Sequence, residues 1–258
     1  MSCAGSSFAF CLLYFTFTKE SSSFKYLLML IDLFANFEKK LNNIKNLESI
    51  KSEDLNYLKY NAIQQEYFIK EKIEKQKIVL HHTVGNIYGD FVTLTSQKQV
   101  GVAYLIGRTG TIIELFNPDY WSNHLGKTAL GGNREQSKIS IGIEISNYGY
   151  LIRKDDILYT IYGTEYCKIS DTKNYEIKEY RGQKYWAKYT EEQYIAIKNL
   201  LKKLTKQYNI PYEFLPINER MEYTKSVISF KGIVTHVNYR KDKWDVSPIF
   251  DWSKISNI

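Results

Sequence analysis

From residue 77 onwards the chain alternates between two hydrophobic rhythms. The run KIVLHH (77–82) is apolar and rich in β-branched residues, and reads as a buried strand. GVAYLIGRTGTIIEL (101–115) divides into two β-rich runs joined at GRTG, whose glycines suit a tight turn, so it predicts a hairpin. KISIGIEIS (138–146) alternates isoleucine with smaller or polar residues and predicts a further strand. Residues 150–189 are full of tyrosine, with turn signals at Gly163 and RGQK, and predict a strand-rich insertion. The clearest helix is TEEQYIAIKNLLKKLTKQYNI (190–210): Thr190 caps it, acidic residues open it, lysines close it and Pro211 follows. GIVTH (232–236) is a last short strand leading into VNYRKDKWDVSP. Strands alternating with helices predict an α/β fold, a single domain over 77–258 with a central mixed β-sheet flanked by helices.

The first 76 residues have a different character. Residues 24–75 contain neither Pro nor Gly, are rich in Leu, Lys, Glu and Asn, and read as helix, with Ser52 as an N-cap. Residues 1–76 are therefore expected to be an apolar, helical N-terminal appendage. FAFCLLYFTF (8–17) has the length of a signal-peptide core, but no Lys or Arg precedes it and no small-x-small cleavage pattern follows. It is also shorter than the roughly 20 apolar residues a spanning helix needs. A signal, a membrane-associated segment and an unstructured leader all stay open.

Composition changes this picture little. Of 258 residues, 44% are hydrophobic and 24% charged, enough for a packed core in a soluble fold. The net charge of +7 favours an anionic partner such as a cell wall or membrane surface. Its basic residues are scattered, with no basic block or RNA-binding aromatic motif, so no nucleic-acid partner is expected. Three cysteines without CxxC spacing exclude a disulfide framework and a cysteine zinc site. Any metal must use histidine and carboxylate.

Four histidines are present, and their placement is informative. His81 ends the first strand, His236 ends the last, and Asp245 follows nine residues later. Two imidazoles and a carboxylate suit Zn²⁺ with a fourth position left for water. Glu144 is an acidic residue inside the apolar run IGIEIS, costly there unless it is paired or has chemical work. Lys243 supplies a positive charge two residues before Asp245. A lone histidine at a strand end is usually structural, but this joint pattern favours a metal-assisted hydrolase. Glu144 could instead only pair with Lys243. Trp121, Trp186 and Trp244 could line a glycan groove or belong to the core.

In these pieces, IVLHHT, AYLIGRTGTIIEL, YWSNHLG, SIGIEISNYG and THVNYRKDKWDVSP, the chain resembles the type-2 N-acetylmuramoyl-L-alanine amidases, the zinc family shared with phage lysins and peptidoglycan recognition proteins. The resemblance covers about 77–258. It implies His81, rather than His82, as a zinc ligand, with His236 and Asp245 completing the set. Glu144 matches the family's catalytic acid, Lys243 its oxyanion-stabilising lysine, and His124 a histidine lining the substrate groove. Trp121 and Trp244 are further substrate-groove candidates. Some relatives carry a Tyr-His pair where Val102 and Ala103 stand, which leaves the proton transfer to Glu144. The function implied is cleavage of the amide between muramic acid and L-alanine in peptidoglycan, by a monomer acting at the cell wall. Alternatives are a non-catalytic peptidoglycan-binding module on the same fold and a wall-associated structural protein. No candidate residue precedes 77, so the N-terminal segment is expected to be dispensable for chemistry.

Overall fold

The structure, a computed structural model, describes residues 40, 47–50, 56–61 and 66–256. In chain order its strands are β1 (Leu47–Ile50), β2 (Tyr57–Tyr60), β3 (Lys77–His82), β4 (Tyr104–Ile106), β5 (Ile112–Glu114) and β6 (Ser140–Ile145). They continue with β7 (Tyr150–Lys154), β8 (Ile157–Tyr159), β9 (Glu165–Lys168), β10 (Tyr175–Tyr180), β11 (Gln183–Ala187) and β12 (Gly232–Thr235). The α-helices are α1 (Ile87–Ser96), α2 (Asn133–Lys138), α3 (Glu191–Tyr208) and the single turn α4 (His236–Tyr239).

A seven-stranded mixed sheet in the order β1-β2-β5-β4-β6-β3-β12 forms the centre. β3 lies between β6 and β12, parallel to both, and all six of its residues are buried. A parallel strand covered on both faces must be apolar throughout, which is why KIVLHH carries no surface pattern. β4 and β5 form the expected antiparallel hairpin. The alternation of β3 divides the interior in two. Ile78 and Leu80 enter the main core with α3, whereas Val79 faces a smaller cluster with Val234, Leu125 and Tyr239.

α3 is built as the sequence predicts. Thr190 and Gln193 form a reciprocal capping box, Glu191 and Glu192 occupy the positive end, and Tyr194, Ile197, Leu201 and Leu204 make one buried stripe. Asn209, in the left-handed conformation, ends it before Pro211 is reached. Residues 150–187 form a separate antiparallel sheet, β10-β11-β7-β8-β9, over its own core of Leu151, Leu158, Tyr166, Cys167 and Tyr175.

The N-terminal boundary needs correction. Where helix was expected, residues 57–60 are a strand, β2, pairing parallel with β5. Tyr57, Tyr67 and Phe68 are buried in the main core, so the fold begins before residue 77. The sequence around 57–60 has good helix formers, but an open edge of β5 and a tyrosine-rich YLKY that fits a half-buried pleat outweigh local propensity. The apolar run at 8–17 and the N-cap at Ser52 lie outside the described residues. Among the described residues no helix is long and apolar enough to cross a membrane.

Candidate metal centre

Strand pairing places the chemistry. β3 and β6 run side by side with His81 opposite Glu144, Val79 opposite Gly142 and Lys77 opposite Ser140. Alternation therefore puts His81, Glu144, Gly142 and Ser140 on one face of the sheet, the face of the smaller core. β12 delivers Thr235 beside Leu80, and the chain turns into α4 so that His236 reaches the same end. These are the carboxyl ends of parallel strands, where α/β sheets commonly present ligand sites.

His81 Nδ1 lies 3.0 Å from His236 Nδ1 and 3.4 Å from Asp245 Oδ2, and His236 Nδ1 lies 2.9 Å from the same carboxylate oxygen. All three residues are buried. What surrounds them fixes where the protons are. The carbonyl of Leu125 can only accept, so His236 Nε2–H, 3.0 Å away, donates to it, and the neutral ring then has Nδ1 bare. A longer chain does the same for His81. The Ser140 hydroxyl donates to the carbonyl of Gln136 (2.8 Å) and so accepts from His124 Nε2–H (2.9 Å). His124 Nδ1 then accepts from His81 Nε2–H, also at 2.9 Å, and His81 Nδ1 is bare in turn. Gly142 makes room for this chain: a Cβ there would stand 2.8 Å from Val102 Cγ1 and 3.3 Å from the His124 ring.

Two imidazole lone pairs and a carboxylate thus converge on one point with no hydrogen between them. Burial and the neighbouring His236 pull the His81 pKa down to about 4, keeping the ring in its neutral, metal-binding form. Three acceptors facing each other repel unless a cation sits among them. Metal–ligand distances of roughly 2.0–2.1 Å in a tetrahedron separate ligand atoms by about 3.3 Å, close to the spacing found here. The donor set fits zinc.

Glu144 flanks the three. Its Oε2 is buried without a hydrogen-bond partner, and no ion pair links it to Lys243 among the described residues. Burial, then the charges of Asp245 and Asp90, hold its pKa well above the carboxylate norm, while Lys243 pulls the other way. Lys243 also bears electrostatically on His81 and His82, so its charge is felt throughout the site.

A family model for N-acetylmuramoyl-L-alanine amidases matches residues 71–248. The chain belongs to this amidase family. Similar solved structures include AmiD from E. coli, solved with anhydro-N-acetylmuramic acid-L-Ala-D-γ-Glu-L-Lys, at 20% identity over 82% of this chain and TM-score 0.47. The match spans 65% of AmiD, just under two thirds of its length. AmpD aligns at 16% identity over 81% of this amidase-family chain and 96% of AmpD, with TM-score 0.46. LysC from Clostridium intestinale aligns at 16% identity, over 77% and 93% of the two chains, with TM-score 0.45. No curated protein matches the chain.

The remaining candidates of this amidase site separate by burial and by hydrogen bonding. His124 bonds His81 Nε2 on the side away from the three converging atoms, as the second link of the proton-fixing chain. Trp121 is only 1% exposed, bonds Glu71 through its indole N–H and has Arg134 over its ring, so it is a core residue. Trp186 is likewise fully buried. Trp244 keeps partial exposure beside Asp245 and packs against Tyr150, a position compatible with a groove wall. His82 points away from the centre and bonds the Tyr189 hydroxyl at 3.0 Å. Ser140 was missed, although the alternation that marks Glu144 also puts Ser140 on its face. The Leu125 carbonyl carries no sequence signal at all.

Proposed function

We propose that the protein is a zinc-dependent N-acetylmuramoyl-L-alanine amidase, hydrolysing the amide between the muramic lactyl group and the L-alanine of peptidoglycan at the cell wall. Membership of the amidase family supports the reaction. The observation that carries the zinc is the convergence of bare His81 Nδ1, bare His236 Nδ1 and Asp245 Oδ2 on one buried point.

When bound, zinc supplies Lewis-acid polarisation and lowers the pKa of a water from 15.7 towards about 7. The rest falls to the chain. Leu125 and the His124–Ser140 pair hold the two imidazoles in the tautomer that presents Nδ1. Glu144, lacking a partner on Oε2 and raised in pKa, takes the proton of the attacking water and passes it to the leaving nitrogen of L-alanine. The Lys243 ammonium stabilises the negative charge that develops on the carbonyl oxygen. His82 and Tyr189 brace the site from behind, since the Tyr189 hydroxyl also accepts from the Ser247 amide just beyond Asp245.

The test is digestion of purified walls and of a soluble muropeptide by the full chain, with zinc and after chelation. Release of peptides with a new L-alanine amino terminus, lost on chelation and restored by zinc, is the expected result. Tight, zinc-dependent binding of muropeptide without cleavage would overturn the amidase reading in favour of a recognition module.

A further inference from the structure

The loop that carries Lys243 and Asp245 is gripped by the β10–β11 hairpin, from a sheet that contributes no ligand to the centre. The hairpin closes in two residues, Arg181 and Gly182, between the paired Tyr180 and Gln183. Both have positive φ, 47° and 79°. A two-residue turn of this kind favours Asn or Asp followed by Gly, and arginine at its first position is uncommon. The turn itself gives no reason for arginine, but the guanidinium does. Arg181 Nη1 donates to the Lys241 carbonyl at 2.9 Å, reaches the Arg240 carbonyl at 3.4 Å, and also bonds the carbonyl of Lys243. The Trp244 indole N–H returns a bond to the Arg181 carbonyl at 3.4 Å. Further along, Lys178 donates to the Pro248 carbonyl at 2.8 Å.

Asp245 has separate anchors. Its carbonyl accepts from the Val237 amide at 3.1 Å, and the Ser247 amide meets Tyr189. The grip on the loop is therefore divided: α4 and Tyr189 hold the metal ligand, and Arg181 holds the backbone of Lys243.

From this division we infer that Arg181 is a positioning residue for Lys243, fixing where its ammonium meets the developing oxyanion while leaving the metal ligands undisturbed. This rests on the amidase reading. The consequence is a specific pattern of losses. With the carbonyls of Lys241 and Lys243 released, the loop samples more conformations and the ammonium spends less time at the reacting carbonyl. Zinc affinity stays, because neither its ligands nor their anchors move.

Arg181→Asn is the informative variant, since Asn-Gly suits the turn and removes only the guanidinium. In the zinc-loaded full chain it should lower kcat for muropeptide about tenfold, short of the roughly 10²–10³ for losing an oxyanion donor outright. Zinc affinity and thermal midpoint should match wild type. In a Lys243→Ala background the same substitution should cost less than about twofold, because the group it positions is gone. Limited trypsin digestion, read by mass spectrometry, gives a measure independent of activity: nicking after Lys241 and Lys243 should be several-fold faster in Arg181→Asn. Unchanged kcat with unchanged nicking would overturn the inference, as would an equal loss of kcat in both backgrounds. Faster nicking in a protein whose wild type cleaves no muropeptide would support the grip on the loop and sink the amidase reading instead.

Discussion

Ser140 is the far end of the chain that fixes the His81 proton, and Ser140→Ala tests whether that chain matters. The substitution removes one buried oxygen and little volume. His124 Nε2–H then loses its acceptor in a buried site, where an unsatisfied donor costs about 1–3 kcal/mol. His124 can escape the cost by moving its proton to Nδ1, but Nδ1 faces His81 Nε2 at 2.9 Å. His81 must then carry its own proton on Nδ1, where the metal would bind. Binding zinc reverses these shifts and restores the unsatisfied donor, so the penalty appears in the metal affinity. At 1.4 kcal/mol per tenfold, 1–3 kcal/mol corresponds to about 5- to 150-fold weaker binding, in line with roughly 10–100-fold for loss of an outer partner of a ligand. Competition against a chromogenic chelator measures it on the full chain, with the thermal midpoint of the zinc-free protein confirming the fold. A zinc Kd within about twofold of wild type would refute the reasoning, because it would show that His81 presents Nδ1 without help from behind.

Other consequences follow from the same geometry. Glu144→Gln should retain zinc while turnover falls by roughly 10²–10⁴, the range for loss of a general base; wild-type cleavage would remove Glu144 from the mechanism. Asp245→Ala should lose zinc and activity together, measured as metal content after dialysis against kcat, because it leaves two neutral ligands in a buried site. Asp90 is buried with Thr83 and Ser146 donating to its Oδ2, and burial pushes its pKa from 3.8 up to about 7. A folded pKa above the unfolded one gives stability that is whole below about pH 4 and is lost as pH rises through 7, on the order of 4 kcal/mol at 1.36 kcal/mol per unit. Asp90→Asn should flatten that slope in urea unfolding of the zinc-free chain at pH 5 and pH 8, and an unchanged slope would exclude Asp90 as its source. A chain starting at residue 70 should fail to fold, since it loses β2 with Tyr57, Tyr67 and Phe68. At roughly 3–5 kcal/mol for each large aromatic removed, the loss reaches the whole stability of a typical domain, about 5–15 kcal/mol; circular dichroism of the truncated protein decides it.

What could be read from the sequence was whatever is local or periodic. The all-apolar KIVLHH, the GRTG hairpin and the capped amphipathic helix from Thr190 each state their conformation within a few residues, because hydrogen bonding and burial there repeat at a fixed spacing. The trio His81, His236 and Asp245, which the structure brings together, could be picked out as candidates as well, since few residue types have the chemistry and all the histidines were in view. The choice of His81 over His82 came from the family resemblance rather than from the local pattern. Tertiary structure decided what depends on neighbours remote in sequence. YLKY became a strand because β5 offered it an edge, against its own helix-forming surroundings. Trp121 went to the core and His124 behind His81, because strand order rather than composition sets which face of the sheet a loop crosses. The direction of each imidazole proton rests on a backbone carbonyl at Leu125 and a hydroxyl at Ser140, 111 and 59 residues away from the candidate ligands His236 and His81. A carbonyl is present at every residue, so only the folded chain can say which one is aimed at a histidine.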